Sequence, residues 1–255
     1  MSLLDKLVKD TLKDIERGYY NLNLRVYHNN PKLSNTILNY KNVPIISEIK
    51  FASPLLGTIK EYTDPVKIAK DMIGAGAIGI SILTNSAFKG SLNYLINVRV
   101  AIDMPILMKD IIIDKIQIDA AYRSGADCIL LIYSVFKDYY PNNLEEFIDY
   151  AHKNDLEVLL EVHDKDEFDK ALMLNADMIG INNRDLRTME IDINNTERIL
   201  SNKVTNKIII SESGIDKPED IRRLYKIGVK GFLIGTSIMR SNNIKDKLSE
   251  LVRSV

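Results

Sequence analysis

The sequence predicts an α/β fold, a single (βα)8 TIM barrel with an N-terminal helical extension, on three observations. Short runs rich in β-branched residues occur eight times, helical patterns separate them, and small or glycine-containing turns recur just before the runs. The length of 255 residues suits one such barrel, which typically takes about 250.

The eight expected strands lie near 43 to 50, 78 to 83, 104 to 109, 127 to 133, 157 to 162, 177 to 182, 207 to 212 and 231 to 235. Most are continuously apolar rather than alternating, as in Ile129-Leu130-Leu131-Ile132, which suits parallel strands covered on both faces. Helices are expected from Asp64-Pro65 through Met72, Asp114 to Arg123, Asp164 to Leu174, and Lys217-Pro218 through Ile227. The turns Gly74-Ala75-Gly76-Ala77, Ser124-Gly125-Ala126-Asp127, Asn175-Ala176-Asp177 and Gly228-Val229-Lys230 read as left-handed helix caps at Gly or Asn. An open doubly wound sheet is the rival, but it gives no reason for eight units and would want a G-x-G-x-x-G turn after the first strand. Residues 1 to 42 are then an extension packed on a catalytic barrel of residues 43 to 255.

Composition narrows the function classes. A formal net charge of -1 from 34 basic and 35 acidic side chains supplies no global field for nucleic acid or an anionic membrane surface. The single cysteine, Cys128, excludes an internal disulfide and sits in an apolar run as a packed thiol. The N-terminal segment alternates apolar and charged residues, unlike a secretion signal, and no stretch is long and apolar enough to span a bilayer, so a cytoplasmic location is expected.

Active sites of such barrels sit at the C-terminal strand ends. Those ends carry Glu48 and Lys50, Ser81 and Thr84, Lys109 and Asp110, Tyr133 and Ser134, Glu161 and His163, Asn182, Asn183 and Arg184, Glu212 and Ser213, and Gly235 and Thr236. A single charged residue there is more often solvated or salt-bridged than catalytic, but acids and lysines on several strands around one mouth form an acid-base set. Side-chain alternation lets Glu48 and Lys50 both point inward from the first strand. The proximity of Lys50 and Lys109 is expected to lower the proton affinity of one of them. Ser213-Gly214 and Gly235-Thr236 follow strands seven and eight, where barrel phosphate sites commonly form, so a phosphorylated small molecule is the expected partner. With three histidines and no paired ligand spacing, no metal is expected.

The strings Ser47-Glu48-Ile49-Lys50 with Ala52-Ser53-Pro54, Leu107-Met108-Lys109-Asp110, Leu160-Glu161-Val162-His163, Gly180-Ile181-Asn182-Asn183-Arg184-Asp185-Leu186, Ser211-Glu212-Ser213-Gly214-Ile215 and Phe232-Leu233-Ile234-Gly235 resemble indole-3-glycerol phosphate synthase. The resemblance spans about 44 to 240, strand by strand. It implies closure of 1-(2-carboxyphenylamino)-1-deoxyribulose 5-phosphate to indole-3-glycerol phosphate in tryptophan biosynthesis, with loss of CO2 and water and without metal or organic cofactor. By that resemblance Lys109 is the general acid on the ketone, Glu161 the base or electrostatic partner in dehydration, and Lys50 and Glu48 complete the acid-base set. Asn182, Glu212 and Ser213 match positions holding the substrate's hydroxyls and anthranilate portion, while Ser53, Arg184, Gly214, Gly235 and Thr236 match those at its carboxylate and phosphate. The division of proton transfers between Lys50 and Lys109, and any association with other enzymes of the pathway, stay open.

Departures from the family pattern fall in the first loop, where Phe51 stands for a basic residue and Leu55-Leu56 for small or polar ones, and at Thr236, which stands for a serine or acid. Phosphoribosylanthranilate isomerase and the tryptophan synthase α subunit fit less well: the first would want a cysteine at the end of strand one, the second a Glu and Asp pair without the Lys109 constellation. A noncatalytic sugar-phosphate-binding barrel is the alternative of a different class, distinguished by an absence of turnover.

Overall fold

The computed structural model describes residues 2–54, 56–141, 143–201 and 203–255; Leu55, one of the two leucines singled out in the first loop, lies outside them. Eight parallel strands close into one barrel: β1 (Ile45–Ile49), β2 (Gly79–Leu83), β3 (Ile106–Lys109), β4 (Cys128–Ile132), β5 (Glu157–Val162), β6 (Met178–Asn182), β7 (Ile208–Glu212) and β8 (Gly231–Ile234). Each pairs with the next in sequence, and β8 closes on β1 through Ile45 opposite Phe232. The expected eight-unit barrel is therefore the observed one.

Several strands are shorter than expected. Pro44 and Pro105 have no N–H to give a ladder, so β1 and β3 begin beyond them, although both prolines still accept through their carbonyls, from Phe232 N and Ile80 N. Tyr133 is not the end of β4 but the first residue of a helix, Tyr133–Tyr139. Nearly every strand residue is buried because helices cover the outside while side chains fill the inside.

Numbered along the chain, the helices are α1 (Leu3–Glu16), α2 (Leu33–Asn39), α3 (Pro65–Gly74), α4 (Leu92–Ala101), α5 (Lys115–Ser124), α6 (Tyr133–Tyr139), α7 (Leu144–Lys153), α8 (Lys165–Ala171), α9 (Asn194–Leu200), α10 (Pro218–Lys226), α11 (Thr236–Arg240) and α12 (Ile244–Val252). Asp64, Asp114 and Asp164 are indeed N-caps, each accepting from a backbone N–H in the first turn. Gly76, Gly125 and Gly228 take the left-handed conformation, at φ 103°, 87° and 104°. Asn175 does not, and α8 stops at Ala171, short of the expected Leu174; Asp155, at φ 58°, occupies the left-handed position after α7 instead. Asp shares with Asn a short polar side chain that tolerates this region, so the residue type alone does not choose the cap.

The N-terminal segment is fastened to the barrel beside the C-terminal mouth. Helix α1 buries Leu4, Leu7 and Val8, and Asp5 accepts a hydrogen bond from Tyr139 OH on α6. Tyr20 OH donates to Asp110 Oδ2 at 3.0 Å, Thr84 Oγ1 donates to the same oxygen at 2.5 Å, and Asn85 Nδ2 reaches both Asp110 Oδ1 (3.0 Å) and Thr11 Oγ1 (2.9 Å). Asp110, a polar strand-end residue in the sequence, thus serves as a structural acceptor that ties the extension to the residue after Lys109. Burial pushes its carboxyl up against the pull of Thr84, Asn85, Ile111 and Tyr20.

At the opposite end of the barrel the buried Arg99 donates to Asp127 Oδ2 (2.8 Å) and to the carbonyls of Ile102 (2.8 Å) and Met104 (2.6 Å), sealing the turns that precede β3 and β4. Cys128 is buried there too, and burial raises its thiol well above the ordinary range. Charge at this end holds structure, leaving the C-terminal strand ends for chemistry.

Candidate active site

Four charged side chains meet at the C-terminal mouth. Lys109 ends β3 and Glu212 ends β7, while Glu48 and Glu161 each lie one residue from the end of β1 and β5. Period-2 alternation puts the residues two positions earlier, Ile46, Leu107, Leu159 and Ile210, on the same inward face; all are buried and form an apolar floor. Above it Lys109 Nζ lies 2.8 Å from Glu212 Oε2, 3.7 Å from Glu48 Oε2 and 3.8 Å from Glu161 Oε2. Lys50, just past β1, places its Nζ 3.1 Å from Glu48 Oε1, so Glu48 stands between two ammonium groups.

Two glycines make room for these carboxylates. A Cβ on Gly235 would sit 2.5 Å from Glu48 Oε1 and 2.9 Å from Glu48 Cβ, and one on Gly180 would overlap Glu212 Oε1. Gly235 was expected to serve phosphate; it also lets Glu48 turn into the mouth. Sequence reading passed over Gly180 as a role-bearing residue, although a glycine inside a strand is itself a sign of close approach.

Electrostatics sort the groups. Burial alone would lower the proton affinity of the Lys109 ammonium, but Glu212, Glu48 and Glu161 together outweigh it and raise that affinity. The expected depression by Lys50 therefore does not operate on Lys109, because carboxylates surround the ammonium. Burial likewise opposes ionisation of Glu48, yet Lys50 and Lys109 overcome it and hold the carboxyl below its ordinary range. Glu212 goes the other way: burial, aided by Glu161 and Glu48 and opposed by Lys109, pushes it up to about 7. One of its oxygens, Oε1, has no hydrogen-bond partner among the described residues.

A pH signature follows for Glu212. Its pKa is raised in the fold from an ordinary 4.5 to about 7, so the native chain binds more protons than the unfolded chain across that interval. Its contribution to stability is present below the lower value and is lost as pH rises through the upper one. Unfolding in urea at pH 5 and pH 8 is expected to show wild-type stability declining more steeply than that of Glu212→Gln; equal declines would contradict the raised value.

Two cavities whose linings share Lys50, Lys109, Arg184, Ser213 and Thr236 flank the cluster. The larger, about 780 Å³, is lined by Lys50, Arg184, Ser213, Gly214, Gly235 and Thr236 together with apolar side chains such as Leu233 and Ile234. The smaller, about 80 Å³, is mainly apolar: Leu7 of the extension, Leu83, Phe88, Ile111, Leu130 and Leu186 enclose it, with Lys109, Glu161, Asn182 and Ser53 at its polar edge. Of the residues given a role from sequence, Glu48, Lys50, Ser53, Lys109, Glu161, Asn182, Arg184, Ser213, Gly214, Gly235 and Thr236 line one or both, whereas Glu212 lies behind Lys109 and lines neither. Thr236 opens α11, Asn182 Oδ1 accepts from Arg184 N at 2.9 Å, and Ser53 Oγ accepts from Leu56 N at 3.0 Å. Ser213 and Gly214 are both left-handed, at φ 64° and 78°, and Asn183 Nδ2 holds the carbonyl of Ser213 at 3.0 Å, aiming this turn at the mouth. Arg184 has no carboxylate within 4 Å among the described residues, and burial lowers its proton affinity despite Glu48. Leu7 of α1 and Lys247 of α12, which lines the larger cavity while bound to the Asp216 carbonyl, were not among the expected site residues, since neither lies on a strand end.

A family model described as indole-3-glycerol phosphate synthase matches residues 4–251. The chain belongs to the indole-3-glycerol phosphate synthase family. Curated relatives carrying that name include one from Aliarcobacter butzleri, 40% identical with 97% of each chain covered, and one from Methanocaldococcus jannaschii, 43% identical over 96% of this chain and 92% of the other. Among solved structures, the N-acetylmannosamine-6-phosphate 2-epimerase from Clostridium perfringens matches with a TM-score of 0.62 at 16% identity, over 84% of this chain and 94% of that one. At that identity the likeness shows the barrel alone, whereas the synthase family match runs through the strand ends described above.

Phe51, where the synthase family carries a basic residue, is buried against Tyr62 and Tyr94, with ring centroids 5.5 and 5.7 Å away. Its carbonyl accepts from Ile59 and Lys60, closing the root of the first loop. The greasier loop expected from sequence is thus anchored by aromatic packing.

Proposed function

We propose that this chain closes the indole ring: it converts 1-(2-carboxyphenylamino)-1-deoxyribulose 5-phosphate to indole-3-glycerol phosphate, releasing CO2 and water, as a carbon-carbon lyase of tryptophan biosynthesis. The observation that carries the reading is a buried ammonium, Lys109, set among three carboxylates where a mainly apolar cavity lies beside a larger one lined by Lys50, Arg184 and two glycine turns. An aromatic amine and a sugar phosphate suit those two linings.

Each residue's role follows from its place. The anthranilate ring occupies the apolar cavity, and Ser53 and Arg184 take its carboxylate, for which a guanidinium that donates to the Met189 carbonyl but has no carboxylate within 4 Å among the described residues is suited. The phosphate lies in the larger cavity against Ser213-Gly214 and Gly235-Thr236, whose backbone lets an anion approach closely. Asn182 and Glu212 hold the ribulose hydroxyls. As the ring carbon attacks the ketone, negative charge builds on oxygen, and Lys109 stabilises it and gives up a proton. A firmly held proton is a poor gift, so a substrate hydroxyl bonding to Glu212 assists by loosening the tightest of the three contacts on Lys109, that at 2.8 Å. Glu161 takes the proton lost in dehydration, and Lys50 with Glu48 completes the exchange.

None of these steps calls for a metal or organic cofactor, and the reading has residues 1–42 as an extension packed on a catalytic barrel of residues 43–255. No helix among the described residues is long and apolar enough to cross a membrane, and with the near-neutral charge this supports a cytoplasmic enzyme acting on a small phosphorylated molecule rather than on nucleic acid or lipid. Incubation of the purified protein with the carboxyphenylamino-ribulose phosphate is expected to produce indole fluorescence. Tight binding without turnover would replace the enzyme by a binding barrel.

A further inference from the structure

Behind Glu161 opens a third cavity of about 40 Å³, lined by Ser134, Glu161, His163, Glu167 and Asp185 among others. Such a volume has room for about three waters between polar partners. Glu167, in the first turn of α8, accepts from His163 N through Oε2 at 2.9 Å. Its other oxygen lies 3.8 Å from Lys137 Nζ on α6, and the Glu167 side chain is 4% exposed against 41% for Lys137. Glu167 therefore spans from the cavity that Glu161 faces to an ammonium at the surface.

The ring closure needs a path of this kind. As the C–C bond forms, the carbonyl electron pair moves to oxygen, which takes a proton from Lys109. The bond to the carboxylate breaks, its electron pair returns to the ring, and CO2 leaves uncharged. The hydroxyl then departs as water, consuming a second proton, while the carbon between nitrogen and the new quaternary centre gives one up. Two protons are taken and one returned, so each turnover draws one from solvent, matching the charge that the substrate carboxylate carries and CO2 does not. Bound substrate fills the mouth above Lys109, which leaves the cavity behind Glu161 as a way in.

We propose that Glu167 relays protons between bulk solvent and Glu161 through the water-sized cavity the two carboxylates share. Around it stand Tyr133 and Lys137 on α6, His163 and Asp164 on its own loop, Glu161 on β5, and Arg184, Asp185 and Arg187 after β6. Burial raises the proton affinity of Glu167 against the pull of the His163 N–H, which suits a group that loads and unloads. Glu167 touches no substrate; it acts through Glu161.

This relay rests on the ring-closure reading, and the test separates the two. Single-turnover rates for wild type, Glu167→Gln and Glu167→Asp are measured across pH in H2O and D2O. Glu167→Gln is expected to lose about tenfold in rate, a modest share of what acid-base groups supply, with KM little changed. Its solvent isotope effect should rise and its pH profile flatten, and Glu167→Asp should recover part of the rate. A Glu167→Gln enzyme with wild-type rate, profile and isotope effect overturns the relay and leaves ring closure standing, whereas an inactive wild type overturns ring closure itself. If Glu167→Gln melts before it can be assayed, Lys137→Met on the exposed side takes its place: a shifted pH profile supports the relay and an unchanged one overturns it.

Discussion

Lys109→Ala is expected to lower the catalytic constant by about 10² to 10⁴-fold while substrate affinity stays within a few-fold. The proton for the ketone oxygen comes from this ammonium, and Lys50 is held 3.1 Å from Glu48 at the end of β1, two strands away from Lys109 in the barrel, where it cannot reproduce the geometry. The substitution also strands Glu48, Glu161 and Glu212 in a buried site, and breaking a buried ion pair by removing one partner typically costs about 3 to 5 kcal/mol. Part of that cost disappears if the cluster takes up a proton, and Glu212, already pushed up to about 7, is the group to accept it. The variant should therefore be less stable at pH 8 than at pH 5 by a wider margin than wild type. A catalytic constant near wild type, with substrate still bound, would remove Lys109 from the chemistry.

Gly235→Ala carries the second large effect, and its cause is steric. The new methyl would meet Glu48 Cβ at 2.9 Å as well as Oε1 at 2.5 Å, so rotating the carboxylate away does not relieve it; the contact with Cβ engages β1 itself. Displacing Glu48 removes the partner of Lys50 and one of the three carboxylates around Lys109. The expected outcome is a catalytic constant lowered by about 10²-fold, the scale of a single misplaced acid-base group, together with a raised KM, since the same turn borders the phosphate cavity. Were Gly235 needed for phosphate alone, KM would rise and the catalytic constant would hold. Kinetics of the purified variant separate the two.

The barrel was legible because its signals are local and repeated. Runs such as Ile208-Ile209-Ile210, helix openings such as Asp64-Pro65 and glycine turns such as Gly125 each reflect a backbone requirement that a short stretch of sequence meets or fails. Strand ends were less sharply readable, as at Tyr133, where a β-favouring residue begins α6 because the chain has left the ladder. The site's membership could be read from strand-end position, since alternation and the barrel's polarity bring Glu48, Lys109, Glu161 and Glu212 together whatever the details. Its internal wiring could not. That Lys109 leans on Glu212, that Asp110 anchors Tyr20, and that Gly180 and Gly235 clear space for carboxylates all depend on distances between residues far apart in the chain. The expectation that one of Lys50 and Lys109 loses proton affinity does not hold at Lys109 for the same reason: sequence places a second lysine near it but does not count the carboxylates that surround it.

The most direct test of the account is a crystal structure of the wild-type protein with indole-3-glycerol phosphate bound. The indole ring is expected among Phe88, Ile111 and Leu130, the phosphate against Gly214 and Gly235, and Lys109 Nζ facing the ring carbon that bore the ketone oxygen. A phosphate bound away from both glycines, or a ring carbon beyond the reach of Lys109, would contradict the account.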